Sequence, residues 1–145
     1  MSAFVLIHGA SHGAWCWKKV VPFLVEEGRT VVAPDLPGHG EDRTPIEDVT
    51  LEAYTDRVCQ VLDDQDESVI LAGHSMGGTV ITQVAEYRPE QIRKLVYLTA
   101  VVPVNGQSMR QTTEEVRNPN FITVAEDESS YSYKDEWVVD IFYGD

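Results

Sequence analysis

The chain has 145 residues, of which 43% are hydrophobic and 24% charged, so we expect one globular fold around a single core. Its formal net charge of −13 at pH 7 argues against nucleic acid and against an anionic membrane as partners. The apolar run at the amino end is too short for a signal peptide or a membrane span, and Cys16 and Cys59 have neither disulfide-framework nor zinc-site spacing. These features predict a soluble, cytoplasmic protein without a metal site.

The first part of the chain alternates short apolar runs with amphipathic stretches, which is typical of βα units in a parallel sheet. Strands are predicted over residues 3–8, 30–35, 68–72 and 93–99. A first helix is predicted from about Trp17 to Glu27, and Pro22 either kinks this helix or marks its true start. A second helix is predicted to follow Thr50, whose hydroxyl would cap it.

The third predicted strand leads directly into residues 73–77, GHSMG, and helical spacing then continues to Tyr87. This G-x-S-x-G pattern between a strand and a helix is typical of a nucleophile elbow, in which a strained turn presents a serine hydroxyl to a general base. Gly73 and Gly77 would let the strand and the helix approach closely. We therefore predict that Ser75 is a catalytic nucleophile. The alternative is a glycine-rich turn with an incidental serine.

A serine nucleophile needs backbone N–H donors for the oxyanion that forms during acyl transfer. The N–H that follows the nucleophile belongs to Met76, at the start of the third helix, where the helix dipole favours negative charge. The loop after the first strand supplies the second candidate donor, the N–H of Ala10. We expect the histidines to have structural roles, with His8 hydrogen-bonded to nearby backbone; the others are His12, His39 and His74.

From Pro103 onward the periodicity breaks up and aromatic residues accumulate, which predicts an irregular insertion or lid. Residues 112–145 are also strongly acidic, which we interpret as a solvated surface.

Three segments together resemble the α/β-hydrolase superfamily: residues 4–17 (FVLIHGASHGAWCW), 35–40 (DLPGHG) and 73–78 (GHSMGG). The first segment is similar to the subgroup that contains plant methyl-salicylate esterases, hydroxynitrile lyases and related bacterial esterases. The resemblance implies an α/β fold, here a truncated α/β-hydrolase fold: a parallel sheet with helices on both faces, plus part of a cap. In this fold the second strand lies outside the first, and the third and fourth lie on its other side.

The resemblance divides the chain into a hydrolase core over residues 1–102 and the start of a cap over residues 103–145. It places a substrate crevice between the first and third strands, where open α/β sheets bind ligands. Candidate residues of the substrate pocket are Gly9, Ser11, His74 and Trp137.

The family places the acid and the histidine of its triad after the nucleophile, but no histidine follows His74 in this sequence. Residues 95–98 would also form an exposed, uncharged sheet edge. We therefore expect the sequence to be part of a larger hydrolase. The alternatives are a short pseudo-enzyme and a protein completed by another polypeptide.

The resemblance implies a serine esterase that acts on small carboxylic esters and needs no cofactor. Whether the protein forms a homodimer is left open. One rival is a hydroxynitrile lyase, although the plant lyases carry threonine at the position of Gly9. Another is a non-catalytic binding module of the same fold. A haloalkane dehalogenase is excluded, because Ser75 stands where that chemistry needs an aspartate nucleophile.

Overall fold

The computed structural model describes residues 3–113, 119–127 and 130–144. The strands are β1 (Phe4–Ile7), β2 (Val31–Val32), β3 (Val69–His74), β4 (Ile92–Leu98), β5 (Ile122–Val124) and β6 (Tyr131–Tyr133). The α-helices are α1 (Val21–Glu26), α2 (Leu51–Asp63), α3 (Gly77–Tyr87), α4 (Met109–Thr113) and α5 (Asp135–Phe142). Short 3-10 turns cover Ala14–Trp17, Ile46–Asp48, Pro89–Gln91 and Pro119–Phe121.

The first four strands form one parallel sheet in the order β2, β1, β3, β4. This confirms the fold class and the strand order that the resemblance implies. The central strands β1 and β3 consist mainly of buried apolar residues, as expected for strands that are covered on both faces.

The core lies on both faces of this sheet. On one face, the larger cluster joins β1 and β3 to the apolar sides of α2 and α3, with Val58, Val80 and Val84 fully buried. On the other face, Trp17 packs with Leu6 and Ala72 beside α1. Burial of apolar side chains on both faces is the main favourable term that holds this layered arrangement together.

The helix predictions hold with one correction. The hydroxyl of Thr50 accepts a hydrogen bond from the N–H of Ala53 at 3.0 Å, so α2 is capped as predicted. The first helix does not begin near Trp17, because Ala14–Trp17 form a 3-10 turn and α1 starts only at Val21. Pro22 therefore marks the true start, since proline lacks the N–H that a first helical turn leaves unpaired. Strand β2 is also shorter than predicted.

Strand β4 is an outer strand of the sheet in the described part of the chain, and Val96, Tyr97 and Leu98 are exposed. This agrees with the exposed edge predicted at residues 95–98. No helix among the described residues is long and apolar enough to span a membrane.

The chain divides into two compact units, the first ending at Thr112 and the second beginning at Thr113. The second unit is more regular than the predicted irregular lid, because β5 and β6 pair as an antiparallel hairpin and α5 follows. Residues 114–118 lie outside the described residues. The functional division at residue 102 into a core and a cap stays a prediction.

Candidate active site

The sheet brings two of the predicted functional loops together. Strands β1 and β3 are neighbours, and Ile7 is paired with Gly73 near their carboxyl ends. The loop with Ala10 and the turn with Ser75 therefore leave the sheet side by side. This is the point where the strand order changes direction, and open α/β sheets bind ligands at such a crevice.

Ser75 occupies the sharp turn between β3 and α3. Its φ of 52° lies in the left-handed region, which a non-glycine residue adopts only when the surroundings impose it. A Cβ on Gly73 would lie 2.5 Å from the carbonyl oxygen of Gly77, so the strand and the helix are too close for any side chain at residue 73. The strand, turn and helix predicted around Ser75 are therefore present, with the predicted close approach.

The backbone of Ser75 is held by the end of β4, by the loop that follows β4 and by the start of α3. The Ser75 N–H donates to the carbonyl oxygen of Leu98 at 3.4 Å, and the Ser75 carbonyl accepts from the N–H of Val101 at 2.9 Å and of Gly78 at 3.0 Å. Thr99, which lies between Leu98 and Val101 in the chain, also has a positive φ of 41°. Nothing in the sequence around Ser75 indicates the contacts with Leu98 and Val101, because these two residues are distant in the chain.

The loop after β1 lies directly against the elbow. A Cβ on Gly9 would lie 2.9 Å from Ser75 Cβ and 3.1 Å from His74 Nδ1. Ser11, the next but one residue, has a positive φ of 61°. The N–H groups of Ala10 and Met76 donate no hydrogen bond to the residues that the structure describes. Within the described part of the chain these two N–H groups are thus without an acceptor, and their role as oxyanion donors stays a prediction.

His8 is fully buried and both of its ring nitrogens are engaged by backbone. Nδ1 donates to the carbonyl oxygen of Gly9 at 2.8 Å, and Nε2 accepts from the N–H of Leu36 at 3.1 Å. Burial lowers the pKa of His8 and favours the neutral ring that this pattern needs. With no free nitrogen, His8 has the structural role predicted for it and cannot act as a general base.

The other histidines lie around the same two loops. His12 Nδ1 donates to the carbonyl oxygen of Ala10 at 2.9 Å, and His39 Nδ1 lies 3.1 Å from the carbonyl oxygen of Pro37. The ring of His74 meets that of Trp17 edge to face at 6.4 Å. Burial, followed by the charge of His12, lowers the pKa of His74. The hydroxyl of Ser75 makes no hydrogen bond to a described residue.

Asp35 is a residue of this region whose contacts sequence reasoning missed. Its Oδ1 accepts from the N–H of Ala14 at 2.6 Å and its Oδ2 from the N–H of Glu41 at 3.0 Å. Burial opposes its ionisation, but these two hydrogen bonds outweigh that effect and hold the pKa of Asp35 below its usual range. Asp35 stands at the end of the second predicted strand and at the start of DLPGHG, and neither position predicts these contacts.

Trp137 belongs to the second unit, where it lies on α5. Its ring packs against that of Phe121 with the ring centres 5.0 Å apart, and 37% of the residue is exposed. This packing gives it a structural role within its own unit. Its predicted contribution to a substrate pocket stays a prediction.

The comparisons with known proteins agree with this architecture. The profile of the alpha/beta hydrolase family matches residues 4–144. Methylesterase 1 of Arabidopsis thaliana is 45% identical over 104 residues, which cover 69% of this chain and 40% of that protein. A carbendazim hydrolyzing esterase of Nocardioides sp. is 43% identical over 112 residues, which cover 75% of this chain and 46% of that protein. The matched part is thus less than half of each of these two relatives.

Solved structures show the same fold over a longer stretch. A pyrethroid hydrolase superposes with a TM-score of 0.88 at 30% identity, covering 100% of this chain and 62% of that one. A methylesterase from Arabidopsis superposes with a TM-score of 0.82 at 27% identity, covering 99% of this chain and 59% of that one.

Proposed function

Because the chain belongs to the alpha/beta hydrolase family, we propose that it carries the nucleophile and the oxyanion hole of a serine hydrolase acting on small carboxylic esters. The observation that carries this proposal is the turn at Ser75, with φ of 52°, together with the N–H groups of Ala10 and Met76, which bond to no described residue. Relatives named as methylesterases and as a carbendazim hydrolyzing esterase support an ester as the substrate.

In this mechanism Ser75 Oγ attacks the carbonyl carbon of the ester while a general base takes its proton. The carbonyl oxygen becomes an oxyanion that accepts hydrogen bonds from the N–H groups of Ala10 and Met76. These hydrogen bonds strengthen as negative charge develops on the oxygen. The alcohol leaves with a proton, and water then releases the acid from the acyl-serine. Helix α3, which starts at Gly77, adds the positive end of its dipole.

The loop of residues 8–14 and the elbow at Ser75 are preorganised for this task. Positive φ values at Ser11 and Ser75 persist only when the surrounding structure holds them, and tight contact at Gly9 and Gly73 supplies that constraint. The donors therefore need little rearrangement when the oxyanion forms. Donors that are already in place account for much of the rate enhancement in such sites.

The histidine and the acid of the triad are assigned to no residue of this sequence. His8 is excluded by its two backbone hydrogen bonds, and we assign no catalytic role to His12, His39 or His74. Gly9, Ser11, His74 and Trp137 are proposed as residues of the substrate pocket. A cytoplasmic location completes the proposal, which leaves open whether the protein is a homodimer.

The test is hydrolysis of a series of small methyl and aromatic esters by the longest form of the protein that can be expressed. Ser75→Ala should abolish hydrolysis, whereas Ser68→Ala, which changes a serine just before the opposite end of β3, should leave the rate unchanged. Hydrolysis that survives in Ser75→Ala would refute the nucleophile. Binding of ester without turnover would favour the non-catalytic module, and cleavage of cyanohydrins in place of esters would favour the lyase.

A further inference from the structure

The loop that carries Ala10 is tied at both ends to the loop after β2. At its start, Leu36 donates its N–H to His8 Nε2 at 3.1 Å, and His8 in turn bonds the carbonyl oxygen of Gly9. At its end, Ala14 donates its N–H to Asp35 Oδ1 at 2.6 Å. Ala10 and Ser11 lie between these two attachments.

The carboxylate of Asp35 is built into the junction between the two loops. It accepts one N–H from each: Ala14 on the first and Glu41 on the second. A Cβ on Gly13 would lie 2.7 Å from Asp35 Oδ1, and Gly40, with φ of 59°, also has its space for a Cβ filled by this carboxylate. Glycines on both sides thus give the carboxylate room to reach the two backbones.

We propose that Asp35 is a positioning residue, which fixes the loop of residues 8–14 so that the N–H of Ala10 is directed at the oxyanion. The consequence of this positioning role for catalysis rests on the function proposed above.

The strain at Ser11 supports this inference. A serine with φ of 61° relaxes toward ordinary backbone angles unless the loop is fixed on both sides of it. His8 supplies the fixed point before Ser11, and the bond between Asp35 and Ala14 supplies the fixed point after it. The low pKa of Asp35 agrees with a carboxylate that stays ionised while it accepts both bonds. Freeing the second point should let the Ala10 N–H turn away from Ser75.

The test uses Asp35→Asn, which keeps one acceptor oxygen and replaces the other with an NH₂ group that faces an N–H. The matched control is Asp42→Asn. Asp42 lies in the same loop and also accepts two backbone N–H groups, from Gly38 and Thr44, both at 2.8 Å, but it makes no such bond to residues 8–14. Urea unfolding checks that each variant is folded.

Two readouts follow the position of the Ala10 N–H. The first is the rate at which a fluorophosphonate labels Ser75, measured over probe concentration to separate binding from reaction. We expect Asp35→Asn to lower the maximal labelling rate about 10-fold or more at unchanged probe affinity, since a displacement near 1 Å costs up to about 100-fold. The second is the NMR signal of the Ala10 amide, which should shift, with faster hydrogen exchange at Ala14. Asp42→Asn should match the wild type in both.

A folded Asp35→Asn protein with wild-type labelling would overturn the inference, as would an unchanged Ala10 signal. Should the wild type fail to label, the proposed function fails, and the NMR readout still decides the role of Asp35. Should Asp35→Asn fail to fold, Ala14→Pro removes the same hydrogen bond from the other side. Gly13 is extended, with φ of −144° and ψ of −174°, and so accepts a following proline. Ala14→Pro must then show the lower labelling rate and the shifted Ala10 amide signal for the inference to stand.

Discussion

Gly9→Ala tests the contact between the loop of residues 8–14 and the elbow at Ser75. The added Cβ would lie 2.9 Å from Ser75 Cβ, whereas two carbon atoms normally approach to about 3.5 to 4.0 Å. The loop or the elbow must therefore retreat by at least about 0.6 Å, judged against that contact range. Crowding of this kind costs about 1 to 3 kcal/mol of stability. A shift near 1 Å costs up to about 100-fold in rate, so we expect a loss of about 10-fold to 100-fold in ester hydrolysis.

The assay measures kcat and KM for ester hydrolysis together with the free energy of unfolding in urea. The matched control is Gly106→Ala, since Gly106 has a φ of 83° but no described residue within 4 Å of the added Cβ. We expect this control to lose about 1 kcal/mol through backbone strain and to keep its rate, because the change is not at the site. A Gly9→Ala protein with wild-type kcat would refute the proposed contact between loop and elbow.

Two further predictions concern stability. Thr50→Ala removes the cap that accepts the N–H of Ala53, and it should lower the free energy of unfolding by about 1 kcal/mol in urea titration; no change would contradict the cap. The hydroxyl of Thr44 and the N–H groups of Gly38 and Thr44 lower the pKa of Asp42 to about 2, below the value of about 3.9 expected in the unfolded chain. The stability that Asp42 contributes is therefore present above about pH 3.9 and is lost as the pH falls toward 2. In Asp42→Asn the free energy of unfolding should fall less over this pH range than in the wild type. An unchanged pH dependence would contradict this prediction.

The central sheet and the elbow could be predicted because their signals are local. Buried parallel strands such as β1 and β3 are nearly continuous apolar runs, and Gly73 and Gly77 mark the tight turn on either side of Ser75. The two oxyanion candidates followed from their places next to the ends of β1 and β3. The strand order came from the resemblance, since periodicity alone does not specify which strands are neighbours.

The contacts that position the site could not be predicted, because they join distant parts of the chain. The bond between Asp35 and Ala14 spans 21 residues, and that between Leu36 and His8 spans 28. A single sequence carries no signal that pairs such residues. The sequence DLPGHG predicts a turn, but it does not indicate whether its aspartate faces solvent or hydrogen-bonds to another loop.

Local ambiguity explains the remaining misses. Strands β5 and β6 have three residues each, too few for alternation to stand out from the polar sequence around them. The first helix was predicted to begin too early because Trp17 packs on the sheet from a 3-10 turn, and a buried aromatic fits either conformation. Pro22 was the sequence signal that indicated the correct start of this helix.

The most direct test of the central claim is to identify which residue a fluorophosphonate modifies. The longest expressible form of the protein is incubated with the probe, digested, and its peptides are sequenced by mass spectrometry. We predict a single adduct on Ser75, absent from Ser75→Ala and from heat-unfolded protein, because the proposed mechanism requires the folded turn to present the hydroxyl to the N–H groups of Ala10 and Met76. A folded protein that remains unmodified, or one modified at another residue, would contradict the account.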